Sequence, residues 1–184
     1  MKTSTKIFAA LGIVAGFGVA VAPLASYADA SDTVNISVLI DETLSCEVTD
    51  GESLQKTIQN NGAVADGVLG TSVVNVKTNH ASGYVLTMVG SGTSGANANS
   101  LYANSGNNEI PSGVPAVGVS AFGYKVGDAT NYTGVPDEDT NIKTSSLPTN
   151  ASGENTSVTF AVTASASQAA GSYSGEVTFT ATTM

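Results

Sequence analysis

Residue types that perform nucleophilic chemistry are scarce in this 184-residue chain, which has one cysteine, Cys46, and one histidine, His80. A catalytic nucleophile needs a neighbouring base and a group that orients the base. His80 lies in "TNHASG", a stretch typical of a tight turn, and no catalytic motif surrounds either residue. The sequence therefore predicts a protein that is not an enzyme, with a paired Cys46 and His80 as the catalytic alternative.

Three consecutive acidic residues, Asp137, Glu138 and Asp139, are the best candidates for metal ligands. Carboxylate oxygens suit Ca²⁺, but the alternating Asp/Asn pattern with a central glycine is missing, which favours a solvated acidic run. The sequence has no His/Cys cluster of the kind that binds zinc. It also has no glycine motif leading into a helix that could hold a phosphate, so we expect no cofactor.

Three tyrosines, Tyr102, Tyr124 and Tyr132, are predicted on loops or strand rims. Exposed aromatic rings with polar surroundings are the usual means by which small β-domains bind sugars. The alternative function is therefore a carbohydrate- or cell-wall-binding module. Because the chain has no tryptophan, few aromatic side chains are available for such a site.

The first thirty residues are typical of a secretory leader. Lys2 and Lys6 precede an apolar run of roughly 16 residues, shorter than the ~20 of a membrane-spanning helix. Small residues before Ala28 and Ala30 match a leader cleavage site. We therefore expect residues 1–30 to be removed, leaving one secreted domain over 31–184 that is not inserted in a membrane.

The charge of the chain restricts its partners. It has six lysines, no arginine and fifteen acidic residues, a net charge of −9. Such a chain lacks the cationic surface that nucleic acids require. The remaining partners are other copies of the chain, other surface proteins or glycans.

In an exported protein with one cysteine, Cys46 is either a buried thiol or an intermolecular link.

Apolar and polar residues alternate in many short runs, and no long helical repeat appears after the leader. The pattern predicts an all-β, antiparallel Ig-like sandwich with Greek-key connections and about seven strands. "NHASG" is short enough for a hairpin between the third and fourth strands. Residues 127–155 are expected to form a long loop, and a short helix remains open for residues 51–70.

The predicted strands at the two ends could support assembly. Their apolar faces comprise Val34, Ile36, Val38 and Ile40 in the first and Tyr173, Val177 and Phe179 in the last. Terminal strands often lie at sheet edges, where another chain can add a strand. Two readings stay open: the last strand pairs within its own chain, which we favour, or a neighbour's N-terminal strand completes it.

The order of these motifs carries a family resemblance. Cys46 lies in the second predicted strand, "VNVKTNHASGYVLTM" follows, then "FGYKV", and the chain closes with "AAGSYSGEVTFTAT". The chain thereby resembles the exported pilin-like sandwich domains of the spore coat protein U type and, more loosely, WxL surface domains. That resemblance implies an Ig-like sandwich at the cell surface. Two departures are Lys77, where the spore coat type has a second cysteine, and the absence of tryptophan.

Together these features predict a non-catalytic, secreted structural or adhesive protein of the cell surface.

Overall fold

The computed structural model describes residues 36–92, 97–103 and 108–184 and is nearly all β-structure. Its strand ladders are antiparallel, and the sheets pack against one another, which confirms the predicted all-β antiparallel fold. The described residues contain eleven strands, not about seven. Residues 51–70, for which a short helix was considered, contain one 3₁₀ turn, Val64–Gly67. The strands are β1 Leu44–Asp50, β2 Val68–Thr78, β3 Tyr84–Gly90, β4 Leu101–Ala103, β5 Glu109–Ile110, β6 Ala121–Val126, β7 Thr133–Gly134, β8 Thr140–Ser145, β9 Glu154–Thr163, β10 Tyr173–Ser174 and β11 Val177–Thr183.

The strands form three sheets. One has five strands in the order β1-β2-β9-β6-β7, and two have three strands each, β11-β3-β8 and β10-β4-β5. Neighbouring strands are often distant in sequence, since β9 lies between β2 and β6. All of these strands belong to one compact unit, Ile40–Met184. The predicted leader, residues 1–30, lies outside the described residues.

The core fills the space between the five-stranded sheet and the two smaller sheets. Tyr84, Leu86 and Met88 of β3 are fully buried, as their alternation with Val85 and Thr87 predicts. Residues from the facing sheet complete the core, and they include Val74, Val76, Phe122, Tyr124, Val158, Phe160 and Val162.

The turn "NHASG" does not form the predicted hairpin. β2 belongs to the five-stranded sheet and β3 to a facing sheet, so the turn carries the chain between sheets. Gly83 donates its backbone N–H to the carbonyl of His80 at 3.0 Å and has a φ of +77°. The residues of a tight turn specify its local geometry but not the sheet that the next strand joins, which is why the prediction was wrong.

The predicted long loop over 127–155 is also wrong. This stretch contains β7, β8 and the first residues of β9. The side chains of β8 are only half-buried or exposed, because the strand lies at the edge of its sheet. Its residues, "TNIKTS", therefore lack the apolar alternation by which a strand is recognised in a sequence.

Asn75 of β2 alternates with the fully buried Val74 and Val76 but is itself only 8% exposed. The turn before β9 covers it, and the Asn75 side-chain amide donates to the Ser152 carbonyl at 3.1 Å and to Asn155 Oδ1 at 2.6 Å. Gly153, in the same turn, has a φ of +82°, and a Cβ there would overlap the Asn75 amide. The turn therefore requires glycine for two reasons.

We predict that Gly153→Ala lowers the free energy of unfolding by about 2–4 kcal/mol, because left-handed strain and overpacking against Asn75 act together. Gly127→Ala is the matched control: its φ is +54°, and nothing lies within 4 Å of the added Cβ. That control should lose only about 1–2 kcal/mol. Equal losses in urea unfolding would show that the contact with Asn75 contributes nothing.

Candidate self-association site

The C-terminal strand β11 pairs with β3 of its own chain, from Val177 opposite Gly90 to Thr183 opposite Tyr84. The predicted closing strand is thus split in two, because Gly175 and Glu176 separate β10, in another sheet, from β11. β11 lies at the edge of its sheet, and its outer side has no ladder partner among the described strands. It contains no charged residue and no proline, the usual protection of an edge.

The first strand, β1, is the edge of the five-stranded sheet on the same side of the sandwich. The thiol of Cys46 forms a hydrogen bond with the backbone of Ala181 in β11. Although Cys46 is exposed as a residue, partial burial of its thiol between the strands raises the pKa, and the bond with Ala181 opposes this rise. The two strands therefore approach each other across the sheets with the thiol between them.

The inward-facing side chains of these two strands are poorly covered. Leu44 is 40% exposed and Cys46 is exposed, whereas Phe179 and Ala181 are half-buried. On β3, by contrast, Tyr84, Leu86 and Met88 are fully buried. We call the surface formed by Leu44, Cys46, Val48, Phe179 and Ala181 the open edge of the sandwich.

The predicted assembly residue Tyr173 lies in β10, away from this surface in the pairing order. Its ring is half-buried, and its hydroxyl donates to the Ala169 carbonyl at 2.8 Å. Val177 and Phe179 are half-buried and pack against the core, in keeping with their predicted inward face.

The N-terminal arm, residues 36–40, is strongly apolar and exposed. The exposed fractions are 84% for Ile36, 78% for Val38, 88% for Leu39 and 79% for Ile40. Ile36, Val38 and Ile40 alternate with Ser37 and Leu39, so an extended arm would place the first three on one face. Val34, the fourth apolar residue of the predicted strand, lies outside the described residues.

The first predicted strand, with Val34, Ile36, Val38 and Ile40 on its apolar face, is not formed in its described part, because residues 36–43 form no ladder. Alternating valine and isoleucine favour an extended chain but do not supply a hydrogen-bonding partner. Asn79, which follows β2, instead fixes the residues before β1. It accepts the Thr43 N–H at 2.8 Å and donates to the Asp41 carbonyl at 2.7 Å.

The three tyrosines proposed for sugar binding do not form an exposed platform. Tyr124 is 7% exposed and belongs to the core, and Tyr102 is 9% exposed. The Tyr102 hydroxyl accepts the N–H of Asn97 at 2.9 Å. Only Tyr132 remains half-exposed, with Lys125 Nζ 5.4 Å from its ring centre. The prediction was wrong for Tyr102 and Tyr124 because both occur in short strands that face the core.

The residues considered for catalysis and metal binding are not brought together. Cys46 lies opposite Val76, four residues before His80, which corresponds to about 13 Å along a strand. Asp137, Glu138 and Asp139 are exposed. Among the described residues, no three His, Cys, Asp or Glu side chains form a group that could hold a metal ion.

One polar cluster, which the sequence did not reveal, connects the facing sheets. The buried Tyr84 hydroxyl donates to Glu154 Oε2 at 3.0 Å, and Lys143 Nζ lies 2.8 Å from Glu154 Oε1. The hydrogen bond from Lys143, supported by the one from Tyr84, holds the pKa of Glu154 below its usual value despite partial desolvation. Burial, together with the neighbouring Glu154, raises the pKa of Tyr84. The cluster joins β3, β8 and β9.

We expect this cluster to make stability depend on pH. Because folding lowers the pKa of Glu154, its ionised form stabilises the protein above the ordinary value of 4.5, and this contribution disappears as pH falls through the folded-state pKa. Glu154→Gln should therefore destabilise the protein at neutral pH, within about 1 kcal/mol since the pair is partly exposed. The difference from the wild type should vanish in acid.

Urea unfolding from neutral pH to below pH 4.5 measures this difference. Lys143→Gln is the companion variant, since it removes the main cause of the pKa shift while keeping the carboxylate. A destabilisation by Glu154→Gln that is the same at every pH would contradict the assignment.

The open edge could be found only in part from the sequence. Alternation revealed the apolar faces of the arm and of β11. The positions of β1 and β11 on one side of the sandwich depend on sheet order, which a sequence of short strands does not specify. Asn79 and Lys143 were missed, because single polar residues beside a strand carry no signal of their partners.

The described residues contain no helix long and apolar enough to cross a membrane. Comparison with known protein families finds no family model that matches the chain, and no curated protein sequence matches it.

Proposed function

We propose that the protein is a non-catalytic, exported structural or adhesive component of the cell surface, and that its copies associate through the N-terminal arm. The observation that carries the proposal is the exposure of the arm, whose four large apolar side chains are 78–88% exposed. An apolar surface of this kind usually marks a place of interaction. The leader-like residues 1–30 support export, and the acidic composition suits a protein that remains soluble outside the cell.

A second copy is the partner that the chain itself favours. Each molecule has an arm with strand-like alternation and, at β11, an edge strand without a ladder partner among the described strands. A contact between two different surfaces of identical molecules repeats from copy to copy and forms an open chain unless its rotation closes a ring. The net charge of the chain is −9, but neither residues 36–40 nor Val177–Thr183 contain a charged residue. A contact between these two segments would therefore bring no like charges together.

Light scattering tests this function on protein purified from the medium of cells that export it. The wild type should form species larger than a monomer as its concentration rises. Deletion of residues 31–40 should leave a folded monomer, because the described strands begin only at Leu44. Two point variants complete the test: Val38→Asp should prevent association by placing a charge on the apolar face, and the control Ser37→Asp should interfere less.

Two results would contradict the proposal. One is a wild-type protein that stays monomeric at every concentration. The other is a deletion variant that unfolds as a monomer, since the arm would then complete its own sandwich. Circular dichroism and urea unfolding of the same samples distinguish loss of association from loss of folding.

A further inference from the structure

We propose that the outer face of the five-stranded sheet binds an acidic polysaccharide, with Lys125 holding a sugar carboxylate and Tyr132 packing against the sugar ring. This inference rests on the adhesive part of the proposed function and gives it a class of ligand, a glycan that contains uronic acid. The surface is distinct from the open edge, because it lies on the outer side of the central strands β2, β9 and β6.

The charges of these three strands differ in sign from those of the chain as a whole. The net charge is −9, yet β2 and β6 contain the lysines Lys77 and Lys125 and no acidic residue. The one acid of β9, Glu154, accepts a hydrogen bond from the buried Tyr84 and pairs with Lys143. All three strands lie inside the sheet, so Lys77 and Lys125 do not protect an edge. Their positions need another explanation, and a negatively charged ligand provides one.

Strand register places four side chains in one row across the outer face. Lys125 of β6 lies opposite Thr159 of β9, and Thr159 lies opposite Thr71 of β2. Tyr132 immediately precedes β7, and in the register of the β6–β7 ladder it lies beside Lys125. Because neighbouring strands are ~4.8 Å apart, the row is about 14 Å long. This length suits a short run of linked sugar rings that crosses the strands.

Each member of the row offers a group that an acidic sugar can contact. Lys125 Nζ lies 5.4 Å from the centre of the half-exposed Tyr132 ring, which leaves apolar ring surface for stacking. The one ion pair of the described strands and loops involves another lysine, so Lys125 has no carboxylate partner there. The Thr71 and Thr159 hydroxyl oxygens are 2.8 Å apart and bond with each other, but each retains capacity for a further hydrogen bond.

The spacing of the cations favours a polysaccharide over a nucleic acid. Lys77 is exposed on the same face as Lys125, six residues along β2 from Thr71, or about 20 Å along the strand. Two cations so far apart match a polymer with widely spaced carboxylates, not one with a charge every ~1.7 Å. The acids of β1, Glu47 and Asp50, are separated from β6 by β2 and β9, about 14 Å, so salt screens most of their repulsion.

A glycan array of uronate-containing and neutral oligosaccharides, probed with the mature protein, tests the class of ligand. We expect retention of uronate-containing glycans that decreases as salt is added, because the carboxylate is held at an exposed lysine. Calorimetry with the best binder then measures the variants. Lys125→Gln should weaken binding about three- to fivefold, as loss of an exposed ion pair would. Lys143→Gln, which changes the net charge equally but lies in a facing sheet, should bind like the wild type.

Two further variants distinguish direct contact from a disturbed fold. Tyr132→Ala should weaken binding about two- to tenfold, and Tyr132→Phe, which keeps the ring, should restore it. Asp128 lies in the loop between β6 and β7 that joins Lys125 to Tyr132. Asp128→Asn should strengthen binding, because it removes a negative charge near the bound carboxylate. A variant that merely damaged the hairpin would weaken binding instead.

The outcomes separate this inference from the function on which it rests. Retention of neutral glycans alone, or of no uronate-containing glycan, would overturn the acidic-glycan site, as would equal affinities of the wild type and Lys125→Gln. Light scattering measures self-association of the same samples independently. A protein that associates but binds no acidic glycan would leave association through the arm standing, whereas a wild type that never associates would contradict the proposed function itself.

Discussion

Every strand at the edge of an open sheet presents backbone N–H and C=O groups that have no ladder partner, and the protein has to satisfy them with water or with another chain. This requirement determines the length and composition of the edge strands. Most of its edges are two-residue strands or carry a charged side chain. β11 differs, because it is long, uncharged and paired on one side only among the described strands.

The open edge combines this backbone requirement with an incomplete core. β1 and β11 approach each other through Cys46 and Ala181, yet Leu44 and Cys46 remain exposed. Contacts such as the hydrogen bond between Tyr84 and Glu154 connect the facing sheets. The proposed self-association would need such a subunit, one with a connected core and an edge that a strand from outside can cover.

The sequence predicted the fold where side chains alternate and failed where the partner of a strand is distant. Tyr84, Leu86 and Met88 are fully buried, in agreement with a period of two that matches a half-buried strand. β8 was mistaken for a loop because edge strands can be polar on both faces. The arm was mistaken for a paired strand because alternation describes a preference for an extended chain, not the existence of a neighbour.

The candidate site shows the same division. Its members on the arm and on β11 were singled out by their alternation, whereas Leu44 and Cys46 became part of it only through sheet order. The tyrosines illustrate the converse error, since aromatic residues in short turn-rich segments can belong to the core. Tyr102 and Tyr124 are buried for this reason, at 9% and 7% exposure.

Hydrogen–deuterium exchange along β11, followed by peptide mass spectrometry at low and high protein concentration, tests the central claim most directly. If an arm from a second copy pairs with the outer side of β11, amides within Val177–Thr183 should become protected at high concentration in the wild type and remain unchanged in the variant without residues 31–40. Identical exchange of β11 at both concentrations, in a wild type that has visibly associated, would contradict strand addition at this edge.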